Sequence, residues 1–160
     1  MGASVVRADT TKFRELSDRM VELGKLALRV GIVGAGATTL EEGSSLTLAE
    51  LGLIHEFGTD EIPERAWMRG TLAAKRSEIA ALKAATFKRI LTGELAPRAA
   101  LDLIGMQIVA WLKAGIVAGL KPDLATETIL RKGSTKPLID DGQFINSITW
   151  IVEDAAPGSL

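Results

Sequence analysis

The single histidine of this chain is the first place where the sequence could do chemistry, because His55 is followed directly by Glu56. Zinc proteases carry two histidines one helical turn apart with a glutamate base between them. Here the position of the second histidine is occupied by Thr59. The chain also contains no cysteine, which excludes thiolate ligands and thiol nucleophiles. We therefore interpret His55 as a packed or hydrogen-bonded side chain, and we expect no catalytic residue, no metal site and no cofactor.

A glycine-rich segment offers a second possible chemistry. Residues 30–36 read Val-Gly-Ile-Val-Gly-Ala-Gly, like the start of a dinucleotide-binding fingerprint. The third glycine is replaced by Thr39, and residues 40–45 are polar where the fingerprint needs an apolar helix. Paired acids at 41–42 and 140–141 are interpreted as solvated or capping groups. A small hydrolase or nucleotide-binding enzyme stays an alternative to a non-enzymatic protein.

The composition describes one globular domain over residues 1–160, with 47% hydrophobic and 24% charged residues. A net charge of −1 provides no field that would attract DNA or an anionic membrane. Residues 1–11 lack the features of a signal peptide. The longest apolar stretch, residues 101–120, is interrupted by Gln107 and Lys113, so we predict a soluble helix there.

Basic and aromatic residues are the features that would support nucleic-acid binding. The chain has no tyrosine, and its tryptophans are predicted to be core or interface anchors. Those tryptophans are Trp67, Trp111 and Trp150. The basic residues of the middle segment are Arg65, Arg69, Lys75, Arg76, Lys83, Lys88 and Arg89. We interpret them as a solvated face. A DNA-binding accessory protein remains an alternative, which would need salt-sensitive binding through this face.

The first half of the chain predicts a helix, a strand, a loop and a short helix. Apolar residues recur at helical spacing from Thr10 or Thr11 to position 26, and residues 28–33 alternate as in a strand. Residues 34–46 are predicted to form a mobile loop. Thr47 is expected to cap a short helix that ends at Gly58.

The second half predicts a helical hairpin and a second strand. One long helix is expected over residues 64–91 and another over 97–119, and this hairpin would carry much of the core. A short helical piece at 123–129, a mobile loop at 131–137 and a polar tail at 154–160 follow. Residues 145–152 alternate as a strand that pairs with the first. The predicted fold is α+β: a small antiparallel sheet packed against an N-terminal helix and the long central hairpin.

Three segments, in this order, resemble a known family. The first segment has two parts: residues 51–59 read Leu-Gly-Leu-Ile-His-Glu-Phe-Gly-Thr, and residues 62–69 read Ile-Pro-Glu-Arg-Ala-Trp-Met-Arg. The second, residues 128–134, reads Thr-Ile-Leu-Arg-Lys-Gly-Ser. The third, residues 136–149, contains Pro-Leu-Ile-Asp-Asp-Gly-Gln-Phe. They are similar to segments of the head-tail joining proteins of tailed phages, also described as neck, tail-completion, minor tail or virion morphogenesis proteins. Ala66, Trp67 and Asp141 depart from the usual residues of that family.

The resemblance implies a structural virion protein that forms a ring, with six copies expected, around the DNA channel joining tail to head. Its expected partners are its own copies and the adjoining connector and tail-tube proteins, and DNA passes through the lumen without specific binding. It implies the virion as location, after the host cytoplasm, and no membrane. A head-side stopper or adaptor is the alternative. The motif and expected interface residues are His55, Glu56, Phe57, Gly58, Ile62, Pro63, Arg65, Trp67, Arg69, Lys132, Gly133, Leu138, Asp140, Gly142 and Ser147.

Overall fold

The computed structural model describes residues 10–119 and 142–156. In chain order its elements are α1 (Thr10–Gly24), β1 (Leu26–Ile32), a 3₁₀ helix (Gly34–Thr38), α2 (Leu48–Phe57), α3 (Trp67–Ala74), α4 (Arg76–Thr92), α5 (Pro97–Ala118), α6 (Gln143–Ser147) and β2 (Ile148–Asp154). The predicted α+β class is confirmed, because helices pack against a two-stranded antiparallel sheet.

The sheet pairs the first and last strands of the described chain. Leu26 lies opposite Asp154 and Ile32 opposite Ile148, which confirms the predicted pairing. The predicted start of the second strand at residue 145 was wrong, since residues 143–147 form α6. The physical reason is burial: the helical turn places Phe144, which is 4% exposed, in the core.

Helix α5 forms the centre of the core. Its residues Leu112 and Ile116 are fully buried, and they pack with side chains from α3, α6 and β2. A Cβ added at Gly105 would lie 2.5 Å from the ring of Trp150, so only glycine lets the sheet approach α5 this closely. The indole Nε1 of Trp150 donates to the Asp102 carboxylate at 3.0 Å, which fixes the sheet on the helix.

Among the described helices, α5 alone has the length and apolar composition that a membrane span requires. A core helix of a globular domain meets the same two criteria. Here α5 contributes seven buried residues to the fold: Pro97, Ala100, Ile104, Gly105, Val109, Leu112 and Ile116.

The single helix predicted over residues 64–91 was wrong. The helix begins only at Trp67, after Ala66 in the left-handed region at φ 42°, and it is interrupted at Lys75 between α3 and α4. Burial of Trp67 in the core at 3% exposure accompanies this turn of the chain. The expected hairpin exists, with α4 ending at Gly93, but α4 buries only Thr86 and Ile90, and neither belongs to the core cluster around Leu112 and Ile116. Most of the buried residues of the hairpin therefore come from α5.

The N-terminal helix and the loop after β1 are less buried. Helix α1 lies along α4 and α5 and has no buried residue. Residues 34–46, predicted as a loop, contain the 3₁₀ helix and an isolated bridge between Leu40 and Thr47. The Gln143 side chain accepts from the Glu42 N–H and donates to the Leu40 carbonyl. The predictions for residues 123–129 and 131–137 lie outside the described residues, as does most of the predicted tail.

Candidate functional site

Helix α2 begins with a complete capping box. The Glu50 N–H donates to the Thr47 hydroxyl at 3.2 Å, and the Thr47 N–H donates to the Glu50 carboxylate at 2.8 Å. The pKa of Glu50 is lowered because the Thr47 N–H and then its hydroxyl donate to the carboxylate. The predicted start of this helix at Thr47 is confirmed, and so is its end at Gly58.

The turn after α2 depends on a glycine. Gly58 has φ 74° and ψ 176°, a combination that residues with a side chain avoid. A Cβ at this position would also lie 2.7 Å from the Glu64 nitrogen. The Thr59 N–H donates to the Ile62 carbonyl at 2.7 Å, and the Thr59 hydroxyl accepts from the Ile62 N–H at 3.0 Å. The chain therefore reverses tightly and returns along α2.

Glu56 is a buried carboxylate, 6% exposed, that joins α2 to α3. It accepts the N–H groups of Met68 at 2.8 Å and Arg69 at 2.9 Å, which are free donors at the start of α3. It also accepts from Arg69 Nε at 2.8 Å. A side chain from one helix thus caps the next helix, and its negative charge suits the positive end of that helix dipole.

The Arg69 guanidinium completes this connection. Its Nη2 donates to the Glu56 carbonyl and to the Glu64 carboxylate, both at 2.8 Å. The hydrogen bond that Arg69 donates to the Glu56 carboxylate is the main reason that the pKa of Arg69 is raised. The guanidinium also lies 4.7 Å from the centre of the Phe57 ring, in a cation–π contact.

Arg65 and His55 form the inner side of the same turn. The Arg65 N–H donates to the His55 carbonyl at 2.9 Å. The Arg65 guanidinium donates to the Pro63 carbonyl at 3.3 Å and lies 3.2 Å from His55 Nδ1, which accepts because arginine has only donors. Burial lowers the pKa of Arg65. His55 is hydrogen-bonded here, in agreement with its interpretation from the sequence.

Trp67 anchors the corner to the core. Its indole Nε1 donates to the Gly52 carbonyl at 2.9 Å, and its ring meets Phe144 edge to face with centroids 5.4 Å apart. Phe144 lies in the segment of residues 136–149, so the described end of that segment packs against the segment of residues 62–69. The predicted role of Trp67 as a core anchor is confirmed.

The outer side of this corner exposes apolar side chains. Leu53 and Phe57 lie one turn apart on α2 and are each 58% exposed. Arg69 lies against the Phe57 ring, and its charge is paired with that of Glu64. We name Leu53, Phe57, Glu64 and Arg69 the corner surface. Such a surface, with an aromatic ring held by an arginine, has the composition of a protein interface.

The structure brings most of the sequence-predicted residues together. The residues that meet in the corner are His55, Glu56, Phe57, Gly58, Ile62, Pro63, Arg65, Trp67 and Arg69. Gly142 instead precedes α6 and Ser147 is its last residue, whose hydroxyl donates to the Phe144 carbonyl. Lys132, Gly133, Leu138 and Asp140 lie outside the described residues. The sequence reasoning missed Leu53 and Glu64, although the four-residue spacing from Leu53 to Phe57 was a usable signal.

The described residues also bear on the other chemistries that the sequence raised. Within residues 10–119 and 142–156, no group of three histidine or acidic side chains is arranged to bind a metal ion. The glycine-rich segment continues into the 3₁₀ helix Gly34–Thr38, and not into the α-helix that a dinucleotide fingerprint requires. A shallow apolar groove of about 320 Å³ lies beside α5 and is lined by Leu95, Ala99, Asp102, Leu103, Met106 and Trp150.

Comparison with known proteins adds no relative: no family model, no curated protein and no solved structure matches this chain.

Proposed function

We propose that this protein is a structural component of the head-tail junction of a tailed phage. Copies of the chain form a ring around the DNA channel, on the tail side of the neck, and contact the adjoining connector and tail-tube proteins. The proposal begins from the three segments that resemble that family. A head-side stopper or adaptor is the nearest alternative, and the neighbour that the protein binds separates the two.

The corner is the observation that supports this function best. Its polar residues are engaged in holding α2 and α3 together: Glu56 caps α3, and Arg69 contacts two carboxylates. What the corner presents outward is Leu53 and Phe57, on a frame whose two helices are joined by hydrogen bonds. A preorganised apolar surface lowers the entropic cost of association, which suits a permanent structural contact.

The pairing of charges favours this reading over DNA binding. Arg69 contacts Glu56 and Glu64, Lys75 lies 2.8 Å from Glu78, and Arg89 lies 4.0 Å from Glu94. Several cations of the predicted basic run thus have acidic neighbours. Phosphate binding needs a clustered excess of positive charge, which these pairs reduce.

A head-tail joining assay tests the proposal. Heads and tails are isolated from the phage that encodes this protein, after growth under conditions in which the protein is not made. Purified protein is then added, and infectious particles are counted. Wild-type protein is expected to restore joining. Phe57→Asp, which places a charge on the corner surface, is expected to lower the yield at least about thirtyfold, as loss of an interface hot spot does.

Phe87→Asp is the matched control, because Phe87 is also exposed, at 41%, but lies on α4 away from the corner. Circular dichroism verifies that both variants fold. Joining by Phe57→Asp at the wild-type level would contradict the role of the corner surface. Failure of the wild-type protein to join heads and tails, together with an enzymatic activity lost in His55→Gln, would overturn the structural function.

A further inference from the structure

The hydrogen-bond pattern of the sheet shows which backbone groups point outward. The Ala155 N–H donates to the Lys25 carbonyl at 2.7 Å, so this pair is hydrogen-bonded internally. In an antiparallel ladder such pairs alternate with pairs whose N–H and C=O groups point away from the partner strand. Counting along the register, the odd-numbered residues of β1 bond to β2. Leu28 and Val30 therefore direct their backbone groups to the outer edge of β1.

The two outer edges of the sheet differ in how they are covered. Within residues 10–119 and 142–156, no hydrogen bond joins the outward groups of Leu28 or Val30 to another residue. On the other edge, Arg98 Nη1 donates to the outward carbonyl of Val152 at 2.8 Å. The Arg98 side chain is 51% exposed, so it is held at a surface from which it can move. Native proteins commonly protect strand edges with such charged side chains.

The apolar groove of about 320 Å³ adjoins the edge of β2. Trp150 lines it together with the α5 residues Asp102 and Met106, whereas no residue of β1 does. The groove therefore opens on the β2 side of α5. Met106 is 50% exposed there. If an additional strand paired with the edge of β2, those of its side chains that point toward α5 would cover this groove.

We propose that the outer edge of β1 in one copy of this chain pairs antiparallel with the outer edge of β2 in the next copy. Both strands have seven residues. Leu28 and Val30, whose side chains lie on the face that carries α5, then border the groove of the neighbouring copy. In this contact, the Arg98 guanidinium no longer donates to the Val152 carbonyl, and a backbone N–H group of the strand from the second copy donates to it instead.

Charge complementarity supports a second copy as the occupant. Arg29 and Glu153 lie on the other face of the sheet, where they form an exposed ion pair at 3.1 Å within one chain. If Val30 pairs with Val152 of the next copy, Arg29 comes to lie opposite Glu153 of that copy. Opposite charges directly across a strand pair are favourable.

This contact uses two different edges of each copy, so it is heterologous and can propagate from copy to copy until a ring closes. The ring is part of the proposed function, so this inference rests on that function. It adds the surface through which neighbouring copies meet. It also explains how the two open edges of a two-stranded sheet are satisfied, since each edge receives the other.

Cysteine cross-linking tests this contact cleanly because the chain has no native cysteine. Two single variants, Arg29→Cys and Glu153→Cys, are purified separately, mixed at high concentration and oxidised mildly. Only the mixture can form a disulfide between position 29 of one copy and position 153 of another. Each variant alone is the matched control, and circular dichroism verifies that both fold.

The mixture is expected to give at least several-fold more disulfide-linked dimer than either variant alone. A mixture that links no better than the single variants overturns the strand pairing, as does linkage confined to Arg29→Cys alone. Light scattering of the wild-type protein separates the two proposals. A ring whose copies do not cross-link refutes the strand contact and leaves the proposed function standing.

Discussion

The α2–α3 corner and helix α1 show two different ways in which this chain uses a helix. In the corner, Glu56, Arg65 and Trp67 are buried and engaged in hydrogen bonds that join successive segments. Helix α1 has a regular amphipathic pattern but no buried residue, and its Phe13 is 72% exposed. Apolar periodicity therefore predicts that a helix forms, whereas it does not predict how deeply the helix is buried.

The contrast also changes the meaning of the family-like residues. In the corner, most of these motif residues hold the backbone in its conformation. The side chains of Leu53 and Phe57 are exposed on this backbone. A motif residue can thus serve function indirectly, by positioning a neighbour. Variants that separate the frame from the surface, and the corner from α1, test this interpretation.

Within the corner, the largest effect on stability is expected from Glu56→Gln. The amide keeps one acceptor oxygen but replaces the other with an NH2 donor, which then faces the N–H group of either Met68 or Arg69, and it removes the buried negative charge that pairs with the Arg69 guanidinium. Because Arg69 is half exposed, we expect a loss of about 2–3 kcal/mol in the free energy of unfolding, measured by urea denaturation. Glu64→Gln removes only an exposed partner and should cost less than about 1 kcal/mol. Equal losses in the two variants would refute the capping role of Glu56.

Gly58→Ala tests the backbone of the corner. The positive φ and the 2.7 Å approach to the Glu64 nitrogen both oppose a Cβ, so we expect a loss of about 2 kcal/mol. Gly24→Ala is the control from α1, because a Cβ there has open space and no positive φ. That change should be neutral within about 0.5 kcal/mol. A similar cost at both glycines would remove the distinction between the two regions.

The capping box of α2 should give a pH-dependent contribution. Thr47→Ala is expected to cost about 1 kcal/mol at neutral pH. The folded-state pKa of Glu50 is lowered from its ordinary value of 4.5, so its ionised form stabilises the protein above that value. This contribution is lost as the pH falls through 4.5 and below the folded-state pKa. The stability difference between wild type and Glu50→Gln, followed by urea unfolding, should therefore shrink from pH 7 to pH 3; a difference that grew on acidification would contradict this.

The smallest effect is expected in α1. Phe13→Ser removes a side chain that is 72% exposed, so the free energy of unfolding should change by less than about 0.5 kcal/mol. Leu112→Ala, at a fully buried position of α5, provides the reference and should cost about 3 kcal/mol. Thermal unfolding of both variants decides the matter: a large loss for Phe13→Ser would mean that α1 is part of the core.

Much of the fold could be predicted from the sequence because its signals are local. Thr47 and Gly58 bound α2, Gly93 ends α4, and Pro97 begins α5, each through the geometry of a few adjacent residues. The alternating pattern also predicted that β2 pairs with β1. The start of α3 at Trp67, later than the predicted residue 64, was not predictable, because the left-handed conformation of Ala66 violates the local preference of alanine.

The corner needed tertiary structure to be understood. From the sequence, His55 and Glu56 were adjacent polar residues, and Arg65 and Arg69 belonged to a basic run. Only the reversal of the chain after Gly58 brings the Glu56 carboxylate to the first N–H groups of α3.

The sequence by itself determined the α+β class, the main helix ends and the strand pairing, since caps, glycines and periodic patterns act over a few residues. The tertiary structure decided which amphipathic face became core and which stayed exposed. It also decided that Glu56 is a helix cap and that Leu53 and Phe57 form a surface. These outcomes depend on contacts between segments that are distant in the sequence or joined through a turn. Such contacts form, and stabilise the protein, only in the folded chain.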